Sequence, residues 1–194
     1  MPTPTTDRPE VDLPEKDRYT YADYRQLPEG APYELIRGHL VMSPSPTVRH
    51  QRLVVRLGTA LHTYLQSSDV GGEVLLAPMD VHLFDDTVVQ PDVLYVSPDR
   101  SDRIEETEIT GAPDLLMEVV SPSTSHRDVF DKKRLYEENE VREYWIVDPD
   151  SETVEVHVLV DDAFTVHERH VGNGTAASAL LDDFTVDVGP LFAE

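Results

Sequence analysis

The chain predicts an α/β sandwich: one mixed β-sheet flanked by helices, with a hairpin added at each end. Three observations predict it. Val54, Leu57, Leu61 and Tyr64 or Leu65 recur at steps of three and four, the period of a helix with one buried face. Short runs rich in β-branched and aromatic residues follow between positions 73 and 96. The string Asp114-Leu115-Leu116-Met117-Glu118-Val119-Val120 is an apolar run broken by one carboxylate, as a central strand buried on both faces would be.

Residues 1–18 are polar and proline-rich with no apolar segment of a signal peptide, so a flexible tail is expected before a single domain over 19–194. A short helix is expected over 20–27, stopped by Pro28 and Gly30. A hairpin follows, 33–37 and 39–43, turning at Gly38. Ser43-Pro44-Ser45-Pro46 breaks the chain, and Thr47 can cap a long helix reaching residue 67. His50 lies on its apolar stripe; the arginines lie mostly off it. Strands are expected at 73–77, 80–84 and 88–96, then a polar acidic loop over 97–111 and the buried strand at 114–120. Ser121 to Ser125 end that strand. The next helix runs to Asn139, with Ser125 and Asp128 able to form a capping box. A strand at 141–147, a hairpin at 153–160 and 164–170, and a last strand at 184–188 complete the chain, and no internal repeat is visible.

Composition narrows the function. At 194 residues the chain can bury roughly 70% of its unfolded surface. No apolar run approaches the roughly 20 residues of a membrane span. Without cysteine there is neither a disulfide nor a thiolate metal site, and a cytoplasmic location is expected. The net charge of -22 runs against a protein that grips phosphates. Recognition depends on the local field, however, and the basic residues cluster. Arg49, Arg52 and Arg56 fall at helical spacing, and Arg127, Lys132, Lys133 and Arg134 form a second group holding two of the three lysines.

The informative residues are misplaced carboxylates. Glu118 sits inside a run that otherwise reads as core, where an ionised group is costly unless it meets a cation or strong donors. Asp92 heads another strand directly after Pro91. Two such carboxylates converging from neighbouring strands repel by about 4 kcal/mol at ~4 Å and an effective dielectric near ~20, and a hard divalent cation removes that cost. Oxygen ligands without cysteine favour Mg2+ or Mn2+.

Several strings together resemble the Uma-two family of restriction endonucleases, within the PD-(D/E)XK nuclease superfamily: Tyr33-Glu34-Leu35-Ile36-Arg37-Gly38, Met42-Ser43-Pro44 with His50, Pro91-Asp92-Val93, 113–124 around Glu118, and Tyr144-Trp145-Ile146-Val147-Asp148-Pro149. The resemblance covers roughly residues 19–160 and implies a restriction-endonuclease-like core. It implies that Asp92 is the "PD" aspartate and Glu118 the second acidic ligand, with Glu34 an additional carboxylate and metal ligand from the N-terminal hairpin. The superfamily's lysine stands two residues after the acid, where this chain has Val120. The family instead supplies it from the next helix, and Asp128, Lys132 and Tyr136, at steps of four on one face, match that pattern. Lys132 is therefore the expected catalytic lysine, with Lys133 second. His50, Asp128 and Tyr136 are auxiliary candidates, and Arg49, Arg52, Arg56 and Arg127 are candidate nucleic-acid contacts.

Plainer readings stand beside these. Glu118 could pair with an arginine such as Arg142, Asp92 could cap a strand, Asp128 could serve only its helix cap, and Lys132 and Lys133 could belong to a solvated helix face. Glu34 could be an exposed hairpin residue, and His50 a satisfied core histidine. Asp114 is a rival "PD" aspartate, but four residues of strand put it about 13 Å from Glu118. The expected function is a Mg2+-dependent DNA endonuclease. Cutting both strands needs two sites, so a homodimer is expected. A catalytically degenerate binding module and a metal-dependent phosphodiesterase acting on RNA or nucleotides are the alternatives.

Overall fold

The computed structural model describes residues 13, 15–28, 30–121 and 126–193, with 126–130 described by backbone alone. In chain order the elements are α1 (Tyr21–Tyr24), β1 (Tyr33–Ile36), β2 (His39–Met42), α2 (Val48–Ser67), β3 (Glu73–Leu76), β4 (Asp80–Phe84), β5 (Thr87–Val89), β6 (Val93–Val96), a 3-10 helix (Pro98–Arg103), β7 (Glu108–Thr110), β8 (Leu115–Val119), α3 (His126–Glu138), β9 (Glu143–Asp148), β10 (Thr153–Val160), β11 (Ala163–Val171), β12 (Thr175–Ala177), β13 (Thr185–Asp187) and α4 (Val188–Phe192).

Local chemistry sets these boundaries as expected in several places. The Thr47 side chain accepts the His50 backbone N–H and opens α2. Arg37 and Gly38 both adopt positive φ, 50° and 80°, the two-residue turn that suits the twist of the β1–β2 hairpin. Thr20 and Asp23 form a reciprocal capping box at α1. The Ser125–Asp128 capping box and residues 1–12 and 14 of the expected tail lie outside the described residues. At the end of that tail, Lys16 pairs with Asp23 and Arg18 with Asp86.

The single sheet of the sequence reading is in fact two large sheets and a small one. A six-stranded mixed sheet has the order β11-β10-β9-β8-β6-β3, and a five-stranded mixed sheet has the order β2-β1-β5-β4-β7. The expected continuous strand over 88–96 is broken because Pro91 lacks a donor for the ladder. β5 therefore ends in one sheet and β6 begins in the other. The expected loop over 97–111 contains β7, which pairs in parallel with β4. Three charged-flanked residues carry no readable period, so this strand left no trace in the sequence. The C-terminal hairpin β10–β11 extends the six-stranded sheet, and the N-terminal hairpin forms the end of the other.

Alternation along the strands divides the core. Val93, Tyr95, Leu115, Met117, Val119, Trp145 and Val147 cluster with Leu53, Val54, Leu57, Leu61 and Leu65 of α2. Leu94, Val96, Leu116 and Tyr144 join a second cluster with Leu135 and Tyr136 of α3 and with Val81, Val89 and Ile109 of the five-stranded sheet. The six-stranded sheet is thus the middle layer. Odd positions of β8 face α2, and Glu118, an even position, is placed on the α3 side. No helix among the described residues is long and apolar enough to cross a membrane.

Leu57, fully buried under α2, anchors the helix that carries His50. Leu57→Ala is expected to lower stability by about 2–5 kcal/mol, read as a shift in the urea midpoint at unchanged slope.

Candidate active site

The crossover Gln90-Pro91-Asp92 delivers Asp92 to the start of β6. β6 and β8 are antiparallel with Val93 opposite Met117, a register that carries Asp92 across from Glu118. The two carboxylates, distant in sequence, therefore meet where β8 ends.

Each is held by different partners. Asp92 Oδ2 accepts the Val119 backbone N–H at 2.7 Å and lies 3.2 Å from His50 Nε2. Glu118 Oε1 accepts from Lys132 Nζ at 3.0 Å and from the Tyr136 hydroxyl at 2.7 Å. Lys132 and Tyr136 lie one turn apart on α3, so one helix face supplies both donors. Lys132 Nζ also donates to Glu34 Oε1 at 3.0 Å, and that same oxygen accepts the Gln90 backbone N–H at 2.7 Å. The site is recessed but open: the side chains of Asp92 and Glu118 are each 14% exposed and that of Lys132 13%.

Burial raises the Glu118 carboxyl to about 7; Lys132 pulls against this, while Asp92 and Glu34 add to it. Burial opposes charge on Lys132, but Glu118 and Glu34 outweigh it and hold the ammonium above its ordinary range. Burial likewise opposes charge on His50, and its hydrogen bond to Asp92, with the fields of Asp92 and Glu118, raises it overall. Tyr136, pushed well up by burial and by Glu118, stays a neutral donor.

Among the described residues, Asp92 Oδ1 and Glu118 Oε2 carry no hydrogen bond or ion pair. Two opposed hard oxygens suit Mg2+ or Mn2+, which are held by one or two carboxylates and complete their shells with water and phosphate. No group of three or more His, Cys, Asp or Glu that could hold a metal exists among the described residues. Glu34, expected as a third metal ligand, has its Oε1 taken by Lys132 and the Gln90 N–H.

Arg142 pairs with Asp114 at 2.8 Å, not with Glu118. The rival aspartate, fully buried, also accepts the Ser97 N–H on Oδ2 and lies 3.4 Å from Arg100, so its charge is met by two guanidinium groups although Oδ1 makes no hydrogen bond. Lys133 is half-buried and makes no ion pair among the described residues. The side chains of Asp128 and Arg127 lie outside the described residues. Arg56 donates to the carbonyls of Leu191 and Ala193, and Arg49 stands 3.9 and 3.7 Å from Asp150 and Glu152. Arg52 is exposed. Sequence reading missed Gln90, whose side chain donates to Asp80 at 2.8 Å and to Tyr24 at 3.4 Å. Its one signal was its place directly before Pro91-Asp92.

Fold and site together define the restriction-endonuclease-like class of α/β proteins. Residues 21–189 match the sequence model of Uma2, a family described as "Putative restriction endonuclease", and the chain belongs to that family. Among solved structures, the fold is similar to that of a protein from Anabaena variabilis described as "a putative nuclease belonging to DUF820". The TM-score is 0.73 and the identity 21%, over 89% of this chain and 97% of the other. No functionally curated protein matches the sequence.

Because Asp114 neutralises Arg100, whose side chain is 12% exposed, as well as the half-exposed Arg142, Asp114→Ala strands one buried cation. It is expected to cost about 3–5 kcal/mol in urea unfolding while leaving Mn2+ binding to the folded protein unchanged. A loss of Mn2+ affinity in the folded variant would instead place Asp114 at the metal.

Proposed function

We propose that the protein is a divalent-metal-dependent endonuclease that hydrolyses phosphodiester bonds of DNA. The observation that carries this reading is the opposition of Asp92 and Glu118 across paired strands, each with an uncommitted oxygen, beside a charged lysine. Mg2+ or Mn2+ at these oxygens would supply Lewis-acid activation of water and neutralise charge on the phosphate.

The chain's own residues do the rest. The Val119 N–H and His50 fix one oxygen of Asp92 and leave the other uncommitted among the described residues. Tyr136 and Lys132 do the same for Glu118. The Lys132 ammonium, charged at neutral pH, stands beside the acid and offers positive charge where a phosphate gathers negative charge. No covalent intermediate is required. Cutting both strands of a duplex needs two sites, which a homodimer supplies.

One observation favours a second reading. With Arg56 committed to carbonyls and Arg49 near two carboxylates, the arginine group of α2 offers little free charge, and the net charge is -22. A short single-stranded, RNA or nucleotide substrate asks for fewer phosphate contacts than a long duplex.

Supercoiled plasmid, oligonucleotides of both kinds and nucleotides, each with Mg2+ or Mn2+, separate the readings. Asp92→Ala and Glu118→Ala are each expected to abolish plasmid nicking, and Lys132→Ala to slow it by about 10²–10³-fold. Nicking that survives in either carboxylate variant rules the assignment out.

A further inference from the structure

We infer that Glu34 is a positioning residue, holding Lys132 and the crossover into Asp92, and not a ligand of the metal. The inference rests on the metal-dependent reading above and assigns a different task to one of its acids.

Glu34 comes from β1, in the five-stranded sheet, whereas Asp92 and Glu118 belong to the six-stranded one. Its residue is only 5% exposed, so its charge must be met from within the protein. One oxygen meets two donors: Lys132 Nζ at 3.0 Å and the Gln90 N–H at 2.7 Å. The ammonium thus bridges Glu34 and Glu118 at the same distance from each. A cation bound to Glu34 on that side would have to displace a charged lysine.

The geometry also explains why a second acid is needed. A divalent ion on Glu118 weakens that carboxylate's hold on Lys132 and repels the ammonium. Glu34, which accepts from the same ammonium, would retain it. The Gln90 contact does the same for the backbone. Pro91 can donate no hydrogen bond, so Gln90 is the last donor before Asp92. Its N–H is pinned by Glu34 and its side chain by Asp80. Glu34 therefore ties the lysine and the lead into the aspartate to one oxygen.

The test exploits the chain's three lysines, Lys16, Lys132 and Lys133. In full-length protein carrying isotope-labelled lysine, the ammonium protons of Lys132 should be protected from exchange by its two ion pairs and give a resolved NMR signal. Mn2+ added alone should broaden the side-chain carbon resonances of Lys132, which stay observable when its ammonium protons exchange, and the titration midpoint reports metal affinity. In Glu34→Gln the inference expects the protected ammonium signal to be lost and the Mn2+ midpoint to stay within about twofold of wild type. Plasmid nicking should then lose kcat by tenfold or more at little change in KM. A midpoint raised tenfold makes Glu34 a ligand and overturns the inference, as does an unmoved Lys132 signal. Should Glu34→Gln not fold, Glu34→Asp, which retains the charge but is one methylene shorter, is read by the same two measurements. Asp92→Ala serves as the control: unchanged Mn2+ binding there removes the metal centre itself, while the Lys132 signal still decides what Glu34 does.

Discussion

A lysine that loses its water must find its counter-charge inside the protein, and for Lys132 that counter-charge comes from two sheets at once. Glu118 reaches it from the middle of the six-stranded sheet and Glu34 from the hairpin end of the five-stranded one. The lysine itself arrives on α3, packed between them through Leu135 and Tyr136. Three separate elements must be in register for the ammonium to keep both counter-charges. A buried cation with one partner missing costs several kcal/mol, so the network penalises any misplacement of the three elements. It makes the site a constraint on the fold as well as a product of it.

The crossover at Gln90-Pro91-Asp92 is the second place where fold and site are one feature. Proline ends the ladder of one sheet, and the next residue begins pairing in the other. The aspartate at that joint gives its backbone carbonyl to the Ala77 N–H, and its side chain takes the Val119 N–H at the end of the strand that carries Glu118. A carboxylate at a strand start, across from another near a strand end, is close to the backbone donors it needs. It also remains near enough to solvent for an ion to reach it.

Much of this was legible in the sequence, for a physical reason that can be stated residue by residue. Glu118 stood out because an acid in an otherwise apolar strand demands a partner, and α2 because its stripe of Val54, Leu57 and Leu61 has the helical period. Lys132 and Glu34 were placed by family resemblance alone; nothing in their spacing would have paired them, since 98 residues separate them. Two things were illegible. The division into two sheets depends on which strands neighbour one another, and periodicity reports a strand's faces but not its neighbours. β7 is too short and too charged to carry a period, and its pairing with β4 is fixed by tertiary contact.

Burial alone did not mark the site either, and the difference lies in how many lone pairs are already spoken for. Glu143 is fully buried, and its two oxygens accept from the Trp145 ring N–H, the Ser178 hydroxyl and the Ala179 and Leu180 N–H groups. Asp114 is fully buried and closed by Ser97, Arg100 and Arg142. Both are structural: Glu143 is filled with donors, and Asp114 is enclosed by two guanidinium groups although its Oδ1 makes no hydrogen bond. Asp92 and Glu118 are less buried, yet each has one oxygen engaged and the other without a protein partner among the described residues. A carboxylate desolvated but only half satisfied still has lone pairs to offer a donor or a hard cation. The sequence does not show how many lone pairs of each acid are engaged. Counting engaged lone pairs separates Glu143, which is filled, from Asp92 and Glu118, which are not.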